Sequence, residues 1–178
     1  MRYVPLTVLA ACAVTAPAFA TQYLSPEQAE KLMFPEADAF RPHPLALDTA
    51  QMRHVEQASG LPTRSAQWRV VGAYKGDTLL GYMVLDDVIG KFELISYAVG
   101  LNPDATVRQV EILAYRESHG SEIRLPAWRR QFVGKSARSG DLRIGAGINN
   151  ISGATLSCTH VTDGVRRIAA VAQVALAR

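Results

Sequence analysis

The run Ile148-Asn149-Asn150-Ile151-Ser152-Gly153-Ala154-Thr155-Leu156-Ser157 holds the residue types and spacing that come closest to chemistry. A Ser-Gly-Ala-Thr turn feeding a helix leaves several backbone N–H groups unpaired at the positive end of the helix dipole, which favours a phosphate there. Gly153 permits close backbone approach, Ala154 keeps the surroundings uncluttered, and the hydroxyls of Ser152 and Thr155 lie where an anion would meet them. On these residues alone a helix N-cap without any ligand is the simpler reading, because Ser and Thr are common caps. Elsewhere the four histidines show no metal-ligand spacing, and the chain has no Cys-x-x-Cys-His haem signature, no Gly-x-Ser-x-Gly elbow and no nucleotide-hydrolase phosphate loop. No catalytic acid, nucleophile or metal site is therefore expected.

Ser152-Gly153-Ala154-Thr155, followed by Leu156-Ser157, resembles the flavinylation motif of the FMN-binding domain family. That family includes the flavinylated components of the sodium-translocating NADH:quinone reductase and of the Rnf complex. Its motif reads Asp-x-x-Ser/Thr-Gly-Ala-Thr, and the last threonine is joined to the FMN phosphate through a phosphoester. The matching residue is Thr155, and the family's aspartate falls on Asn149. Glu117-Ser118-His119-Gly120 is similar to the family's Glu-Thr-Pro-Gly turn near the flavin ring, with His119 in place of proline. The resemblance spans roughly residues 71–168. It implies an exported electron-transfer protein carrying FMN, with cofactor-binding residues Glu117, His119, Ser152, Gly153, Ala154, Thr155, Leu156 and Ser157. It also implies an FAD-dependent flavin transferase for maturation, and a membrane or periplasmic redox partner. With Asn149 in the motif, two alternatives stay open: noncovalent FMN in the same pocket, as carrier or reductase, or a cofactor-free interaction module of the same fold.

The elements that must position this motif follow from pattern. Ser25-Pro26-Glu27-Gln28 is a capping box with proline at the first helical position, opening a helix to about Met33 that Phe34-Pro35 ends. Residues 35–47, with Pro35, Pro42 and Pro44, read as a linker or an extended surface segment. Asp48-Thr49-Ala50-Gln51 caps a second helix, closed by Gly60 and Pro62. From Gln67 short β runs take over: Trp68 to Tyr74 and Thr78 to Asp86 around a Lys75-Gly76-Asp77 turn, then Phe92 to Leu101 and Val107 to Tyr115 around Asn102-Pro103-Asp104. Leu125 to Phe132 reads as a short helix and residues 134–147 as a glycine-punctuated loop. Val161, Val165, Ile168, Ala169, Ala172 and Leu176 recur at helical spacing along Thr159 to Leu176. The expected fold is α+β: an antiparallel sheet packed by helices, with a long C-terminal helix.

Other residues have two readings. Trp128, Arg129, Arg130, Phe132 and Lys135 could meet a flavin and its phosphate, but aromatics in such a run are more often core and the cations a solvated face. His160 could approach the cofactor or lie on the helix surface. Cys158 reads as a small core residue.

Residues 1–20 combine Arg2, an apolar stretch and Ala18-Phe19-Ala20, the grammar of a secretory signal peptide cleaved after Ala20. Export to the periplasm or beyond is the expectation. Lipidation at Cys12 of Leu9-Ala10-Ala11-Cys12 would require an unusually short apolar region. Removal of Cys12 leaves Cys158 alone, so no internal disulfide is expected. The remaining chain divides into residues 21–66, a helical segment with its linker, and residues 67–178, the FMN-binding domain. A net charge of +3 without a basic stripe argues against nucleic acid as a partner, and a hydrophobic content of 48% argues against disorder.

Overall fold

The computed structural model describes residues 21–177. The signal peptide expected over residues 1–20, its cleavage point and Cys12 lie outside the described residues. Ser25 and Gln28 exchange the two hydrogen bonds of a capping box (3.2 and 2.8 Å) and start α1, Pro26–Met33. Asp48 and Gln51 do the same for α2, Thr49–Ser59, which ends at a left-handed Gly60. Both caps stand where the sequence puts them.

Seven strands form the sheet: β1 (Thr21–Gln22), β2 (Ala39–Pro42), β3 (Leu45–Ala46), β4 (Gln67–Lys75), β5 (Thr78–Ile89), β6 (Leu94–Leu101) and β7 (Val107–Tyr115). Their order is β1-β7-β6-β5-β4-β2, every pairing is antiparallel, and β3 also pairs with β4. The two hairpins and the turn between β6 and β7 agree with the sequence reading. Residues 35–47 do more than link: Ala39–Pro42 pairs with Val71–Tyr74, and Leu45 with Trp68, so the segment edges the sheet. Its prolines do not conflict with this, because an edge strand can leave backbone donors unpaired.

The sheet is covered on both faces. One face packs α4, Thr155–Ala175, over Val84, Tyr97, Val99 and Ile112, with α2 against α4; the other packs α1, through Met33 and Phe34, over Ala73, Met83, Ala98 and Leu113. Val161, Val165, Ile168, Ala169, Ala172 and Leu176 are all buried, as their spacing requires. Each buried Val, Ile or Leu there stabilises by about 1.5–3 kcal/mol, so α4 is held by its apolar stripe. Gly164 lets it sit close: a Cβ there would fall 2.0 Å from the Tyr97 hydroxyl, which donates to Asp86 at 2.7 Å. The helix begins at Thr155, four residues before the apolar pattern starts at Thr159. Between sheet and motif, the chain passes through a 3-10 turn (Ser121–Arg124), the one-turn α3 (Pro126–Arg129) and a second 3-10 turn (Arg130–Phe132).

Candidate functional site

A cleft of about 450 Å³, within the size range of small-molecule sites, opens at the N-terminus of α4. One wall is Gly153, Ala154, Thr155, Leu156 and Ser157; the other is Lys91 and Phe92, with Glu117, Ser118 and His119 at the base. The two motifs singled out in the sequence thus meet in one place. They touch directly at Gly120, where a Cβ would lie 2.7 Å from the Tyr115 hydroxyl and 3.1 Å from the Ala154 Cβ. Gly120 also adopts a φ of 89°, which a residue with a side chain rarely does.

On the first wall, the Ala154 N–H donates to Ile151 O at 3.0 Å and Gly153 turns the chain through a φ of 85°. The N-cap residue is Ala154, and no side chain caps the helix. This decides against the plain-cap reading: the first amides of α4 have no intrahelical acceptor, and neither Ser152 nor Thr155 supplies one. The Thr155 side chain is exposed at the first helical position, and its Oγ1 accepts from Asn150 Nδ2 at 3.0 Å. Ser152 is exposed in the turn and does not line the cleft. Ser157 is buried, and its hydroxyl lies 2.9 Å from that of Tyr115. Tyr115 has a single proton and gives it to the His119 carbonyl at 2.5 Å, so Ser157 is the donor in that contact. Leu156 is half exposed at the mouth.

The second wall is clamped. Glu117 Oε1 accepts from the backbone N–H groups of Lys91, Phe92 (2.5 Å) and Glu93 (2.9 Å). Burial pushes this carboxyl up, but the three amides and the Lys91 charge pull it down further, so its pKa lies below the ordinary glutamate value. His160 reaches over from α4, its Nδ1 donating to the carbonyls of Ile89 (2.6 Å) and Gly90 (3.0 Å). Both contacts are to carbonyls, which fixes the proton on Nδ1. His160 is therefore a tie between α4 and the β5–β6 turn and does not line the cleft. His119 does, with its Nδ1 2.9 Å from Ser118 Oγ.

Lys91 and Phe92 are the cleft residues that sequence reasoning missed. The β pattern starts a strand at Phe92; the residue sits instead in the turn before β6 with 76% of its surface exposed, beneath the Lys91 ammonium at 4.9 Å. An aromatic beside a lysine in a short turn was the available signal. The residues from the 125–135 segment lie away from the cleft. Trp128 and Phe132 stack edge to face at 5.0 Å in the core, and Trp128 Nε1 donates to Asn149 O at 2.8 Å. Arg129 pairs with the buried Glu111 and also donates to Val110 O (2.7 Å), while Lys135 pairs with Asp141. Cys158 is buried, and burial pushes its thiol up, as a core residue's would be. The Asn149 backbone is held by Trp128 and by Gln131 (2.8 Å), leaving its side chain exposed.

No curated protein sequence matches the chain. The crystal structure of NqrC from Shewanella oneidensis has a similar fold, with a TM-score of 0.51 and 17% sequence identity over 82% of each chain. A family model described as FMN-binding domain matches residues 90–170, a span that begins at the clamped turn, runs through Glu117–Gly120 and encloses Ser152–Thr155. Both walls of the cleft lie within residues 90–170, the stretch of the chain that matches the FMN-binding domain family.

Proposed function

We propose that the chain is an exported electron carrier whose FMN is esterified through its phosphate to Thr155 Oγ1. The observation that carries this reading is the exposed Thr155 hydroxyl at an uncapped helix start, on the wall of a flavin-sized cleft. Uncapped amides at α4, the left-handed Gly153 and the nearby Lys91 ammonium suit a phosphate. Phe92 and Leu156 offer apolar surface to a planar ring. Bound there, FMN would accept and pass on electrons one or two at a time; the protein's part is to hold it, exclude water from one side and set the local charge.

Attachment is a transfer from FAD. Thr155 Oγ1 attacks the FMN-side phosphorus, an Oγ1–P bond forms, the pyrophosphate P–O bond breaks, AMP leaves, and the hydroxyl proton passes to the transferase or solvent. No electrons change hands in that step. An FAD-dependent flavin transferase and a membrane or periplasmic redox protein are the partners this reading requires. Asn149, in place of the family's aspartate, favours a second reading in which FMN sits in the same cleft without the ester bond. Co-expression with a flavin transferase, with the leader intact, separates the two by fluorescence after denaturing electrophoresis and by intact mass. Fluorescence that survives denaturation and disappears in Thr155→Ala supports the ester. An unmodified mass beside an active transferase overturns it, and colour lost on denaturation supports the noncovalent reading.

A further inference from the structure

A second cavity, of about 160 Å³, lies between α4 and the end of β5, lined by Arg64, Val88, Ile89, His160, Asp163 and Arg167. Arg167 is only 6% exposed, and its Nε donates to the Pro62 carbonyl at 3.0 Å. Among the described residues, no carboxylate stands within ion-pair distance of Arg167 or of Arg64. Asp163, the acid on this cavity, pairs with Arg166 at 2.9 Å. Arg64 makes one long contact, 3.4 Å, to the Asp87 carbonyl. Burial first, and the Arg64 charge second, pull the Arg167 pKa below its ordinary value, against smaller opposing effects of Tyr97, Asp86 and Asp163, none of which is within ion-pair distance. A guanidinium buried this far is normally paired.

We propose that Arg64 and Arg167 form a site for a small oxyanion, a phosphate or a carboxylate, in this cavity, separate from the flavin cleft. The volume excludes a nucleotide or a flavin, which need sites of about 300 Å³ or more. Two guanidiniums lining one cavity suit an oxyanion better than a halide, because a guanidinium can give parallel N–H bonds to two oxygens. Val88 and Ile89 form an apolar floor that would keep the bound ion partly out of water and strengthen those bonds. His160 holds the adjoining turn in place through its Nδ1.

The test is isothermal titration of the full mature chain with inorganic phosphate, and separately with acetate, in buffer free of other oxyanions. Arg64→Gln changes an exposed residue and is expected to weaken phosphate binding about tenfold or more, the worth of one charge-assisted pair. Arg167→Lys keeps the charge but loses the fork, and is expected to weaken it similarly; thermal melts confirm that each variant is folded. Absence of phosphate binding in the wild type overturns the proposal, as does unchanged affinity in Arg64→Gln. Binding lost in Lys91→Gln but kept in Arg64→Gln places the ion in the flavin cleft and overturns it as well.

Discussion

The two walls of the cleft at the start of α4 are built on opposite principles. The turn Gly90–Glu93 is over-determined: one carboxylate oxygen of Glu117 gathers three consecutive amides, and His160 fastens the two carbonyls just before them. The turn Ser152–Thr155 is under-satisfied: its N-cap is an alanine, its helix has no side-chain cap, and its hydroxyl is exposed. A helix start normally gains about 1 kcal/mol from a Ser, Thr or Asp cap, and α4 forgoes it. The apolar stripe of α4 carries enough burial to tolerate that loss. Dense hydrogen bonding therefore belongs to one wall, and unmet hydrogen-bonding capacity to the other.

The sharpest way to break this contrast is Thr155→Ala. Covalent flavin is expected to vanish completely from the denatured protein, read by in-gel fluorescence and intact mass. The melting temperature of the flavin-free protein should barely move, because an exposed first-turn substitution away from a cap is worth within about ±0.5 kcal/mol. A large loss of stability would mean that Thr155 serves the fold. Gly120→Ala attacks the contact between the walls instead. It forces a side chain into a φ of 89° and a Cβ to within 2.7 Å of the Tyr115 hydroxyl. The strain and overpacking together are expected to cost about 2–4 kcal/mol, measured by denaturant unfolding, and flavin incorporation should fall with it.

How much of this stood in the sequence differs between the same two walls. The Gly153–Ser157 wall was legible as a helix start because everything that makes it is local, a glycine turn and the helix that follows, while its reading as a ligand site came from the family resemblance, and Ser152, expected there, does not line the cleft. The long helix, both capping boxes and both hairpins were legible for the same reason, since caps act over three residues and burial patterns repeat over two or four. The clamped wall was not, because Lys91 and Phe92 acquire their place only from Glu117, more than twenty residues on, and from His160, about seventy residues on. Edge strands β1, β2 and β3 were equally hidden: they pair through backbone, and short edge strands leave almost no side-chain pattern. Arg129 and Lys135 illustrate the converse. Their charge pointed to a solvated face or to a ligand anion, whereas both side chains are largely covered and Glu111 and Asp141 meet them.

Glu117→Gln tests the clamp itself. The amide keeps an acceptor oxygen but loses the charge, and hydrogen bonds to a charged group contribute about 1–2 kcal/mol more than neutral ones, so a loss of about that size is expected. The pH dependence has a definite sign. Because the folded pKa of Glu117 is depressed, its contribution is complete above the unfolded glutamate value of about 4.3 and is lost as pH falls through the lower folded value. Thermal melts of wild type and variant should therefore differ most at neutral pH and converge in acid. A constant difference across that range would show that the carboxylate charge does not hold the turn.

The smallest expected effect on the fold, and the most informative about the open wall, comes from Asn149→Asp. The structure uses Asn149 only through its backbone, held by Trp128 and Gln131, while the side chain points to solvent. Stability should stay within about ±0.5 kcal/mol. If the position is read by the transferase or its metal, restoring a carboxylate there should raise the yield of covalent flavin under limiting transferase, with the Thr155→Ala background remaining blank. If instead the yield is already complete with Asn149, the exposed hydroxyl and the uncapped amides suffice for attachment, and the under-satisfied wall alone defines the acceptor. A fall in yield would show that the asparagine amide, and not a negative charge, is what the maturation partner recognises on this surface.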